Sequence, residues 1–167
     1  MNAAMEKLHG LRTIGRGLLT GAALFVSAAP AMASIWVYGG GADPASGEMN
    51  SYAGTIVEGT LANSSLSVRC EGDSLFVVAK KGLAFHFDPT IDVEFGIDGE
   101  ASPARPWIWL VEDSLAVLDG EAASNLARAI MAAEDKLVVK IGGDALTFEV
   151  EDVKANVTKV LADCGLK

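Results

Sequence analysis

Apolar and polar residues alternate along much of this chain, and for most of its length the alternation has period two. It is cleanest at Thr90–Asp98, where Ile91, Val93, Phe95 and Ile97 interleave with Asp92, Glu94, Gly96 and Asp98. A strand with one face buried and one face solvated requires that pattern. Asp98-Gly99 then supplies a turn signal, and a proline-flanked aromatic segment follows, with Trp107 and Trp109 two residues apart. Upstream, Ser65–Cys70 and Ser74–Ala79 flank Glu71-Gly72-Asp73 and read as a hairpin, with Leu66, Val68 and Cys70 on one side. Leu83, Phe85 and Phe87 resume the alternation opposite Ala84, His86 and Asp88. Shorter strands are expected at Ser34–Tyr38, Ser51–Glu58 and Leu115–Leu118. Between the first two, Gly39-Gly40-Gly41, Asp43-Pro44 and Ser46-Gly47 read as a linker, so 34–50 is expected to be partly flexible.

Twice the period changes to that of a helix. Asp119-Gly120-Glu121 is a helix start, and Ala122, Leu126, Ala129, Ile130 and Ala133 form a stripe of mostly small residues, suited to lying close on a sheet. A tight hairpin follows, Lys136–Ile141 and Ala145–Val150 around Gly142-Gly143-Asp144. Asp152 then opens a second helix, with Val153, Val157, Val160, Leu161 and Cys164 on one stripe and Gly165 as its stop. Strands, helix, two strands and helix predict an α+β domain. Its antiparallel sheet is expected to be sandwich- or barrel-like, with two helices packed on it.

The N-terminus reads differently. Lys7, Arg12 and Arg16 precede an uncharged apolar run at Gly17–Ala29, and Ala31-Met32-Ala33 gives the small-x-small pattern of a signal peptidase site. The run is short for a membrane span. The expectation is a signal peptide at 1–33, cleaved after Ala33, and a single domain at 34–167 in a bacterial periplasm or outside the cell. Of the 13 Lys+Arg, 10 follow residue 33, as do 21 of the 22 Asp+Glu, so the charge of 34–167 is 10 − 21 = −11. Such a balance disfavours nucleic acid and anionic membrane surfaces as partners and favours a basic one. The chain has two cysteines, Cys70 and Cys164. Both fall on apolar stripes, there is no CxxC, and an exported chain favours oxidation, so one disulfide between them is expected.

Candidate chemistry is sparse. His86 is the one histidine after the leader, no GxSxG elbow accompanies it, and both cysteines are committed to each other, so no catalytic residue is assigned. Asp88, Asp92 and Glu94 are considered for calcium or for glycoside hydrolysis, but no loop has the DxDxDG spacing. Zinc lacks ligands, and neither a metal nor a cofactor is expected. Asn63-Ser64-Ser65 and Asn156-Val157-Thr158 match the glycosylation pattern by chance. What remains is a possible binding surface: the acids Asp92 and Glu94 with the aromatic rings of Trp107 and Trp109.

The landmarks in sequence order are Trp36, Cys70, VEFGIDGEASPARPWIW at Val93–Trp109, the small-residue helix, KLVVKI at Lys136–Ile141, LTFEVEDV at Leu146–Val153, and Cys164. This arrangement resembles the VasI/TagO-like group of exported proteins associated with type VI secretion. Gly96 stands where that group has a strand arginine, and Glu151-Asp152 where it has a glycine before the last helix. The resemblance implies an exported, non-enzymatic accessory protein of the bacterial envelope that binds a protein or envelope component, and it brings no catalytic residues. The alternative, drawn from charge, is an acidic inhibitor of a basic hydrolase such as lysozyme.

Overall fold

The computed structural model describes residues 35–57, 63–82, 88–110 and 114–166. The leader expected at 1–33, with its expected cleavage after Ala33, and the segment at 83–87 carrying His86, lie outside them. Among the described residues are β1 (Val37–Ala42), β2 (Met49–Val57), β3 (Ser64–Glu71), β4 (Ser74–Lys80), β5 (Thr90–Ile97), β6 (Glu100–Ala101), β7 (Arg105–Leu110), β8 (Leu115–Leu118), β9 (Lys136–Ile141) and β10 (Asp144–Glu149). Two helices accompany them, α1 (Gly120–Met131) and α2 (Val153–Asp163). All belong to one compact unit.

The strands form a single antiparallel sheet in the order β1-β2-β3-β4-β8-β7-β5-β9-β10, with β6 paired to the end of β5. The sheet curls until its two ends meet. Trp36, just before β1, donates its backbone N–H to Glu151 O at 3.3 Å. Its indole Nε1 donates to Glu149 O at 2.9 Å. An antiparallel α+β architecture with two helices on the sheet is therefore what the alternation encodes. The inner face carries Leu66, Val68 and Cys70 of β3, Ile91, Val93 and Phe95 of β5, and Leu137, Val139 and Ile141 of β9, all buried. Burial of that size dominates the favourable side of folding.

β2 explains its own irregular pattern. Its inward positions are Ser51, Ala53 and Thr55, all buried, and α2 lies against this strand. Small side chains let a helix approach closely. The glycine run requires a correction, because Gly39-Gly40-Gly41 are not a linker but lie inside β1, paired with Tyr52, Ser51 and Asn50 of β2. The neighbouring strand supplies the order that the glycines themselves cannot. The turn that follows is held by Asp43, whose Oδ1 accepts the N–H of Ala45 at 2.8 Å and of Ser46 at 2.9 Å. Those two N–H groups, Ser46 first, pull the Asp43 carboxyl below the ordinary carboxylate range.

Cys70 and Cys164 form a disulfide across 94 residues, with their Cα atoms 5.6 Å apart. It joins the end of β3 to the end of α2. Tyr38 adds a second tie, its phenol donating to Asp163 Oδ2 at 2.8 Å. The helix stops where Gly165 takes φ 67° and Leu166 N–H returns to Leu161 O.

Candidate functional site

The β5–β6 turn sets up the site. Asp98 and Gly99 take φ 52° and 90°, the two consecutive left-handed residues of a tight hairpin. The Asp98 carboxylate then reaches a distant loop. It accepts the backbone N–H of Asp135 at 2.7 Å, of Glu134 at 3.0 Å and of Lys136 at 3.1 Å. These donors, Asp135 first, hold its carboxyl below the ordinary range despite some opposing desolvation. Asp98 N–H completes the tie by donating to Lys136 O. The hairpin is thereby fixed to the α1–β9 connection. Ser102 secures its returning arm, since both its N–H and its hydroxyl donate to Phe95 O at 2.8 Å. From Asp98 to Pro106 every residue is exposed, and Asp98, Glu100, Ala101, Ser102, Pro103 and Arg105 of this arm form one wall of a groove.

Helix α1 is the facing wall. Its buried residues are Ala123, Ala127 and Ile130, which rest on the β4 side of the sheet. The expected stripe is buried only in part, at Ile130 and Ala133. Ala122, Leu126 and Ala129 are only half-buried, and they line the groove. The groove encloses about 720 Å³, with Val93, Phe95 and Trp107 along its floor. Asp98, Glu100, Arg105 and Asn125 contribute polar groups around it. Asp98 is already committed to three N–H groups and the Ser102 hydroxyl to Phe95 O, which leaves Glu100, Arg105 and Asn125 as the polar side chains at the rim. A concave, mostly apolar site with a few polar groups at its edge is the usual form of a binding groove.

The four residues singled out from the sequence do not share one surface. Trp107 pairs with Ile91 in the β5–β7 register, so Trp107 and Trp109 point inward and each is 3% exposed. Asp92 and Glu94 point outward. Asp92 is exposed, and Glu94 Oε1 meets Lys140 Nζ at 2.5 Å across the β5–β9 ladder. Only Trp107 reaches the groove. Arg105, Asn125 and Leu126 have no motif to announce them. Their signal was the second half-apolar stripe of α1 facing a proline-bounded arm, visible only once both walls are placed.

Among the described residues, no three His, Cys, Asp or Glu side chains come together as metal ligands do. No described helix is long and apolar enough to cross a membrane. Compared with protein-family models, curated proteins and solved structures, the chain finds no match in any of the three.

Proposed function

We propose that this chain is an exported binding protein of a bacterial envelope, which holds a protein or envelope component and catalyses no reaction. The groove between α1 and the β5–β7 strands is its contact surface. One observation carries this reading: about 720 Å³ of apolar groove stands open in the folded chain, with Trp107 on its floor. The half-buried Ile97, Leu118 and Leu126 along the groove offer apolar surface against which a partner's apolar side chain can pack. The resemblance to the VasI/TagO-like group supports an accessory role in the envelope, and the disulfide suits an oxidising compartment.

A photo-crosslinking residue at position 125, on the groove rim, tests the reading in cells that export the full chain. The expected result is a discrete crosslinked species. It should vanish in Ala129→Trp, which fills the groove from the helix wall, while thermal unfolding of that variant stays cooperative. Adducts equally abundant with and without the filled groove would refute the assignment.

A further inference from the structure

We infer that the outer face of β1–β3 is a carbohydrate-binding site, which takes a pyranose ring of an oligosaccharide against Tyr52. It is separate from the groove, being on the face of the sheet turned away from the helices. In register, Tyr52 stands opposite Arg69, and Asn50 opposite Glu71. On the other side Tyr52 faces Gly39 and Asn50 faces Gly41, two positions without side chains. A Cβ at Gly39 would lie 2.8 Å from each of Cε1, Cζ and Oη of Tyr52. The hydroxyl end of the ring therefore lies over the glycine. The residue is 46% exposed, which leaves ring surface open to solvent. Asn50, Tyr52, Arg69 and Glu71 border a cleft of about 600 Å³.

Sugar chemistry matches this block. A pyranose presents polarised C–H bonds on one face and hydroxyls around its edge. The electron-rich face of a tyrosine attracts those C–H bonds. The hydroxyls need planar donors and acceptors, which Asn50, Arg69 and Glu71 supply from three different functional groups. Arg69 is steadied by its own Nε, which donates to Ser67 Oγ at 3.1 Å. Between Arg69 and Glu71 sits Cys70, turned inward and tied to Cys164. The backbone that presents both charged groups is therefore braced before any ligand arrives, which lowers the ordering cost of binding.

A tyrosine laid over a strand glycine also stabilises the strand, so the test separates ring cover from ring recognition. The full chain, exported and purified with its disulfide oxidised, is titrated with chitotetraose and with maltotetraose while the tyrosine and arginine resonances are followed. Saturable binding to at least one is expected. Tyr52→Leu keeps apolar cover without an aromatic face and should weaken binding about tenfold, equivalent to ~1.4 kcal/mol. Tyr52→Phe should bind like the parent, and Arg69→Gln should bind several-fold more weakly, with both retaining the parent's melting temperature. Absence of saturable binding to either sugar, or unchanged affinity in Tyr52→Leu, would overturn the inference.

Discussion

Asp98 is an exposed carboxylate with a structural task. Left-handed backbone is unfavourable for most residues, and aspartate is among the few that tolerate it. Here the same residue also accepts three N–H groups of the α1–β9 connection. Its carboxyl is held below the ordinary range, so the folded state binds that proton less readily than the unfolded chain, where an aspartate titrates near 3.9. The sign follows from linkage: the contribution is fully present above that value and is lost as pH falls through the lower folded-state value. Asp98→Asn keeps the turn geometry but removes the charge. The variant is expected to be less stable than the parent at pH 7, with the gap closing as pH drops below about 4. Urea midpoints of both proteins from pH 7 down to pH 2.5 check this. A gap independent of pH would mean that the carboxylate charge contributes nothing.

At the level of elements, α1 shows what a sequence pattern conceals. Its alanines occur on two adjacent stripes, one through Ala123 and Ala127 and the other through Ala122 and Ala129. Periodicity alone cannot rank stripes built from the same residue. The structure buries the first and leaves the second along the groove. The strands were more legible, because an alternation of large apolar and charged residues has one low-energy orientation on a half-buried sheet. The glycine strand β1 was not, since its order comes from pairing with β2 and not from its own side chains. The separation of Asp92 and Glu94 from the tryptophans has a similar cause. Each strand's parity could be read alone, but which faces coincide depends on the Ile91–Trp107 register. The helix gives the sharper test. Ala127→Leu forces three extra carbons into a fully buried contact and should cost about 1–3 kcal/mol. Ala122→Leu points the same bulk into the groove and should change stability by less than about 0.5 kcal/mol, as expected of a site away from the core. Equal losses in urea denaturation would place both residues in the core and remove one wall of the groove.

Over the whole molecule, sequence order and sheet order diverge. β4 is followed in the sheet by β8, and β5 lies between β7 and β9. Distant segments must therefore find each other, and long-range pairings carry a large loop-closure cost. The ends of the curled sheet are joined through Trp36 to Glu149 and Glu151, and Asn156 Nδ2 donates to Trp36 O at 2.7 Å from α2. The Cys70–Cys164 bond adds a covalent constraint where β3 and α2 meet, and it closes a loop with a sequence separation of 94. Its two sulfurs were foreseeable because each cysteine lay on an apolar stripe, so burial brought them to the same interior. In the chain-entropy account a loop of that length removes about 4–5 kcal/mol of freedom from the unfolded chain, and loss of a native disulfide commonly costs about 2–5 kcal/mol. Cys70→Ala/Cys164→Ala should fall in that range. The unfolded variant, freed of its closed loop, exposes more surface, so the dependence of stability on denaturant should steepen as the midpoint drops. Guanidinium titrations of the oxidised parent and the double variant measure both quantities together. A lower midpoint with an unchanged slope would locate the loss in native packing around the sulfurs, and an unchanged midpoint would show that the hydrogen bonds at Trp36 and the buried core suffice to hold the sheet closed.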